Sequence, residues 1–236
     1  MPATTSGRAA TSGRAITSGR RAERPTNDAL YDSLRDAITR REFPPGARLP
    51  ETELAVRFGV SRAQIREVFA LLEERGLIAR IPNRGARVIR LSHPEIIELF
   101  DVREVLEGLC VRLATRNLPP DSWQDLVDLF DGPMERDVRE RDFDAYLAKL
   151  SLFRRRTIDA AGSALLSDML DRIHDRTRIF IYRMVLLPGR AEQGLEEHRR
   201  TLAAMRRADA DEAEALKREN IRSARAMFER YAAHLT

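Results

Sequence analysis

Residues 50–66 read PETELAVRFGVSRAQIR, and this stretch decides the fold of the first third of the chain. Glu53, Leu54, Ala55 and Phe58 recur at helical spacing, and Gly59 stands where that helix must stop with a positive φ. Val60 then plugs the angle between two helices, and Ser61 caps the second one. The second helix puts Ile65, Phe69 and Leu72 on a packing face and Arg62 and Arg66, four residues apart, on another. A helix of this kind fits the major groove of B-form DNA, where an arginine pairs bidentately with guanine or grips a phosphate. Ser61 and Gln64 lie in its first turn, the part of a recognition helix that enters the groove. Taken alone, the segment is also compatible with an ordinary amphipathic helix whose arginines are solvated.

What surrounds it favours the DNA-reading alternative. Residues 77–81 and 86–90 alternate as two short strands around Pro82-Asn83-Arg84-Gly85, the pattern of a β-hairpin. Its tip presents Asn83 and Arg84 beside Gly85, which suits a backbone passing close to phosphates or into a minor groove. Upstream, residues 29–40 form a first helix with Leu30, Leu34 and Ile38 on its buried stripe, ended by Phe43-Pro44-Pro45-Gly46. The expected unit is a winged helix-turn-helix over residues 26–91.

These residues resemble a known family. The run FPPGARLPETELAVRFGVSRAQIREVFALLEERGLIARIPNRGARV, residues 43–88, is similar to the DNA-binding domain of GntR-family bacterial transcription regulators. That family's pattern has PPG-x-x-L, then E-x-x-LA, then VSR-x-x-[VIL]RE, then GL and a wing glycine, and each element is present in order. The resemblance implies that Arg62, Arg66 and the wing around Gly85 contact double-stranded operator DNA. Gln64 stands where many members have proline and Thr52 where some have a DNA-touching arginine, which leaves the operator sequence open.

Charge agrees. Residues 1–90 hold 17 Arg, no Lys and 10 acidic residues, so 17 − 10 = +7, whereas residues 91–236 hold 24 basic and 27 acidic residues, a net of −3. The positive field of the first third supplies a salt-dependent, sequence-independent attraction to phosphates. At 236 residues the chain accommodates one small domain and a second, larger one. No run of 18 apolar residues spans a membrane, the N-terminus lacks the apolar core of a signal peptide, and the single Cys110 lies in an apolar helical pattern with Leu106, Leu109 and Leu113. A core thiol and a cytoplasmic location are expected. In residues 1–25, Thr-Ser-Gly-Arg recurs at 5–8, 11–14 and 17–20. Such a small, polar, basic segment reads as a disordered arm, with or without a role in phosphate contact.

Residues 92–236 read as helices only: 94–116 with Ile97, Phe100, Val105, Leu109 and Leu113 on its stripe, then 121–137, 143–160, 163–187, 190–207 and 211–234. Six amphipathic helices with short connections predict an antiparallel helical bundle, so the fold class is mostly α with a small β-hairpin wing. The motifs DVREVLEGLCVRLAT at 101–115, FRRRTIDAAGS at 153–163 and EHRRTLAAMRRADADEA at 197–213 resemble the FCD effector-binding and dimerising domain of the FadR-type branch of the GntR family.

Many members of that branch hold a divalent metal, which in turn binds an organic acid. The motifs place Leu150, Arg154, His198 and Asn220 at the four ligand positions, so one ligand type out of four remains. Zinc and similar ions need at least three protein donors, and leucine and a guanidinium supply none. No metal and no other cofactor is therefore expected. Arg154 is instead expected to offer its charge to a carboxylate or other anionic metabolite, with His198 and Asn220 as polar neighbours and Arg103, Arg178 and Tyr182 as further pocket residues. The other reading of Arg154 is a salt bridge within the protein, and of His198 a satisfied core histidine.

The expected function is a homodimeric transcription regulator, most simply a repressor, whose operator affinity is linked to the bound anion. An effector-free architectural DNA-binding protein is the alternative. Catalysis is not expected: no nucleophile elbow, P-loop, HExxH or paired-cysteine motif occurs, and the only histidines are His93, His174, His198 and His234.

Overall fold

The structure, a computed structural model, describes residues 25–81 and 85–235. The N-terminal unit begins with α1 (Asn27–Thr39), capped by the Thr26 hydroxyl, which accepts from the Ala29 amide. Leu30, Leu34 and Ile38 are buried along one side of it, as their spacing predicts. After β1 (Arg48–Leu49) come α2 (Glu51–Phe58) and α3 (Arg62–Glu74), then β2 (Ile78–Ile81) and β3 (Gly85–Val88). Gly59 closes α2 in the left-handed region at φ 66°, and the Ser61 side chain accepts from the Gln64 amide to start α3. Ile65, Val68, Phe69 and Leu72 of α3 pack with Leu30, Leu34, Leu54, Leu77 and Val88 into a single core.

The sheet is antiparallel in the order β1-β3-β2. The hairpin pairs Ile78 with Val88 and Ile81 with Gly85, and β1 adds a third strand through Arg48 with Arg87 and Leu49 with Ala86. Two residues are too few for alternation to reveal β1 in the sequence. Its presence gives Gly85 a structural reason: at φ 82°, a Cβ there would lie 2.5 Å from the Leu49 carbonyl oxygen. Pro82, Asn83 and Arg84, the expected wing tip, lie outside the described residues, as does the repeat of residues 5–20.

The second unit is all helical: α4 (His93–Asn117), α5 (Gln124–Leu129), α6 (Glu135–Glu140), α7 (Phe143–Ala161), α8 (Ala164–Val185), α9 (Arg190–Arg206) and α10 (Ala210–Leu235). The Ser92 amide donates to Glu95 Oε2 at 2.7 Å, a capping box that starts α4 just past the linker. The single helix expected over 121–137 is broken into a 3-10 turn at Pro120–Trp123, α5, a π turn at Phe130–Met134 and α6. Pro133, inside the π turn, has no N–H to donate and its ring displaces the preceding turn, while Trp123, Phe130 and Met134 hold the segment by burial.

The stripe expected on α4 is also corrected. Phe100, Cys110, Val111 and Ala114 are buried, but Val105 and Leu109 are 51% and 38% exposed. With Val102 they form a second apolar stripe, at i, i+3 and i+7, which the monomer leaves uncovered. Burial pushes the Cys110 thiol up to about 12, so it is a core group and not a nucleophile.

The two units meet where α1 lies against α8. Tyr31 Oη donates to Asp175 Oδ2 at 3.0 Å, and Arg172 pairs with Glu74 at 3.3 Å.

Candidate functional site

Positive charge collects at two places in the molecule. The first is the outer face of α3. Arg62 and Arg66 are more than half exposed, and both reach back to one carboxylate, that of Glu51 at the start of α2: Arg62 Nη2 at 3.4 Å and Arg66 Nε at 2.7 Å. The shared acid holds the two guanidinium groups side by side on the surface. An exposed pair of this kind contributes little to stability and exchanges readily for a phosphate or a base edge. Ser61 and Thr52 are exposed beside them. Gln64 is drawn inward, its Nε2 donating to the Pro25 carbonyl at 2.7 Å, so it ties the segment entering α1 to the first turn of α3.

The second place is a cavity of about 280 Å³ inside the bundle, walled by α4, α7, α8, α9 and α10 and rimmed by Asp36, Thr39 and Arg40 at the end of α1. It brings together all six residues expected at an effector pocket: Arg103, Arg154, Arg178, Tyr182, His198 and Asn220. Leu150, Phe153 and Ile181 supply apolar wall.

Around the cavity the charges fall into a self-satisfied set and an unsatisfied one. Glu107, on α4, is the hub of the first. Its Oε1 accepts from Arg103 at 2.8 Å and faces His174 Nε2 at 3.1 Å, and its Oε2 lies 2.8 Å from Lys217 Nζ. Burial alone would raise the Glu107 carboxyl, but Arg103, Lys217 and the His174 hydrogen bond overcome this and hold it well below the usual range. His174 is pushed down to about 4 by burial, against the pull of Glu107, so it is neutral. A second carboxylate, Glu197, accepts from Arg190 at 3.1 Å and from Asn220 Nδ2 at 2.6 Å. Asn220 therefore already has a partner within the protein.

Arg154 has none. Among the described residues no carboxylate lies within ion-pair reach of its guanidinium, and its pKa falls to about 10, first through burial and then through repulsion by Arg178. Arg178 is only loosely engaged, 3.8 Å from Asp36 Oδ1. Burial and the charges of Lys217 and Arg190 depress His198 well below its ordinary value, so it is neutral, and its buried Nδ1 has no hydrogen-bond partner.

A divalent cation does not fit this donor set. Of the four positions that would supply ligands, Leu150 has no donor atom, Arg154 carries a fixed positive charge and Asn220 offers only a neutral amide oxygen, its Nδ2 donating to Glu197. Lys217 puts a further cation into the same wall. Such an ion would find one suitable nitrogen, on His198, one weak neutral oxygen, on Asn220, and two repelling groups, fewer than the three good donors it needs.

The participants that pattern reading missed are Glu107, Lys217, His174, Arg190 and Glu197. Arg103 and Glu107 stand four apart and Arg190 and Glu197 seven apart, but such spacings ordinarily describe a solvated helix face. Only the packing of α4 against α10 turns Glu107 and Lys217 toward each other.

Two family models match: that of the bacterial regulatory proteins of the gntR family over residues 26–88, and that of the FCD domain over residues 98–235. The HTH-type transcriptional regulator YdhC of Bacillus subtilis is 29% identical over 187 residues, 78% of this chain and 82% of its own length. The HTH-type transcriptional repressor RspR of Escherichia coli is 27% identical over 193 residues, 80% of this chain and 83% of its own length. In fold, the chain is similar to the E. coli protein McbR/YncC, with a TM-score of 0.76 at 21% identity, covering 87% of this chain and 98% of that one. With its exposed arginine helix in the matched N-terminal region and its bundle in the matched C-terminal one, the chain belongs to the GntR family: a DNA-binding transcriptional regulator, not an enzyme, built from a GntR winged helix-turn-helix and an FCD domain.

Proposed function

We propose that this regulator is a repressor whose grip on its operator is weakened by a compact monocarboxylate bound in the bundle cavity without a metal. The observation that carries this reading is Arg154, a half-buried guanidinium that lines the bundle cavity with no carboxylate of its own among the described residues. A half-buried guanidinium with no counter-charge in the protein is free to pair bidentately with an anionic ligand that brings two acceptor oxygens. The apolar wall of Leu150, Phe153 and Ile181 and the volume of about 280 Å³ favour a small carboxylate with an apolar body over a long acyl thioester. Repression is the sign taken because two similar regulators, RspR and GlaR of E. coli, are named repressors.

DNA contact is assigned to Arg62 and Arg66, with Ser61, Thr52 and Gly85, and, on the sequence pattern alone, to Asn83 and Arg84. The exposed stripe Val102, Val105 and Leu109 on α4 is the face through which two copies pair. A two-fold dimer then presents two α3 helices to half-sites about 34 Å apart.

Calorimetry tests the ligand reading, with benzoate as the probe and with zinc, each on chelator-treated protein. Benzoate is expected to bind once per chain without metal, zinc not to bind, and Arg154→Gln to weaken benzoate by roughly tenfold or more. Stoichiometric zinc binding, or benzoate binding that requires metal, overturns the metal-free reading. No benzoate binding at all favours a DNA-binding protein without an effector.

A further inference from the structure

Helix α8 has two working faces. His174, Arg178, Ile181, Tyr182 and Val185, spaced at i, i+4, i+7, i+8 and i+11, line the cavity. Arg172, Asp175 and Arg176 face the DNA-binding unit, through Glu74, the Tyr31 hydroxyl and the backbone at Gly76, where a Cβ would come within 3.1 Å of Arg176 Cδ. Arg178 belongs to both faces: it lines the cavity, yet its nearest carboxylate is Asp36 of α1, across the boundary.

We infer that Arg178 is the residue through which the cavity acts on the DNA-binding unit: an anion seated against Arg154 draws the Arg178 guanidinium off Asp36 and loosens α1 from α8. This rests on the reading of the cavity as an anion site.

The geometry suits an exchange of partners. The Arg178–Asp36 separation of 3.8 Å exceeds hydrogen-bond length, so the contact is electrostatic and easily given up. Asp36 does not need it, because its Oδ1 already accepts from Arg35 Nε at 3.2 Å and Nη2 at 3.0 Å. Asp175 and Asp36 attract Arg178 at the boundary, but burial and the charge of Arg35 there, with that of Arg154 in the cavity, oppose it, and a carboxylate in the cavity would serve both arginines. Asp36 itself forms part of the cavity rim, so the ligand and the interdomain contact compete within one small space.

Competition makes a prediction with opposite signs on its two sides, since coupling between sites is reciprocal. Asp36→Asn removes the competitor and frees Arg178, so benzoate binding tightens, by roughly fivefold or more. Arg178→Gln removes the shared cation, so benzoate binding weakens by at least a similar factor. In both variants the units loosen without ligand. Loosening is read by electron–electron dipolar distance between spin labels at Val56→Cys and Arg155→Cys in the full-length chain, diluted with unlabelled protein. Both positions are exposed, and buried Cys110 does not compete for label.

In the otherwise unaltered chain, benzoate is expected to broaden or shift this distance, and in Asp36→Asn the shift is present beforehand and grows little. The inference is overturned if both variants move benzoate affinity in the same direction, or if benzoate binds and the distance stays unchanged. Those outcomes leave the cavity's ligand reading standing. Absence of benzoate binding removes both readings, and calorimetry distinguishes that case.

Discussion

The arginines of α3 and those of the bundle cavity do opposite things with the same chemistry. On α3, Arg62 and Arg66 share one carboxylate, Glu51, at a surface where water screens the pair. In the cavity, Arg103 and Lys217 share Glu107 away from water, while Arg154 is left over. Shared acids therefore play two roles. Glu51 steadies two cations that stay at the surface, the pair proposed to meet DNA, whereas Glu107 locks cations into the fold and leaves Arg154 without a counter-charge.

The largest effect that sharpens this contrast is on stability. Glu107→Gln leaves Arg103 and Lys217 buried without a counter-charge and is expected to cost about 3–5 kcal/mol in urea unfolding followed by helical circular dichroism. A loss below about 1 kcal/mol would mean that water reaches the hub and that the two regions do not differ as described.

Acid is the next lever. His174 sits at about 4 in the folded protein against an ordinary 6.5, so the unfolded chain binds its proton first as pH falls. The stability contributed by the neutral imidazole is complete above about pH 6.5 and drains away as pH falls toward 4, by roughly 2–3 kcal/mol. His198, also depressed, acts in the same direction, and Glu107 adds its loss below its ordinary value of 4.5. Urea midpoints between pH 7 and 4.5 should fall steeply for the unaltered chain and less so for His174→Gln.

On the DNA side the effect is on binding and not on folding. Arg66→Ala is expected to lose about 1–3 kcal/mol of affinity for a selected operator, measured by fluorescence anisotropy, with its unfolding midpoint nearly unchanged. The smallest effect belongs to Glu51→Gln: stability within about 1 kcal/mol, and DNA bound somewhat more tightly because Arg62 and Arg66 no longer have an internal acid to leave. Weaker DNA binding in this variant would show that Glu51 positions the arginines more than it competes for them.

The same division governs what was legible in the sequence. In the DNA-binding unit, one local pattern carries both fold and surface: Gly59 requires a positive φ, Ser61 caps, Ile65 and Phe69 point in, and Arg62 and Arg66 therefore point out. What escaped there was β1, two residues whose partner, β3, begins 36 positions after Leu49. In the bundle the helices were legible from their period, but not the break at Pro133 or the exposure of Val105 and Leu109. The cavity's chemistry depends on which faces of α4, α8 and α10 meet. Lys217 and Glu107 are 110 positions apart, joined at 2.8 Å, and neither carries a local signal of burial. Arg154 stands out through a resemblance, while the reason it stays unpaired, the commitment of Glu107 to Arg103 and Lys217 and the placing of Asp171 beyond ion-pair reach, is a property of packing alone.

The most direct measurement of the central claim is the affinity of the full-length protein for a selected operator with and without saturating benzoate, in chelator, for the unaltered chain and for Arg154→Gln. The account predicts a fall of roughly 5- to 150-fold on adding benzoate to the former and little change in the latter. Equal affinity with and without benzoate, in protein that calorimetry has shown to be occupied, would contradict it.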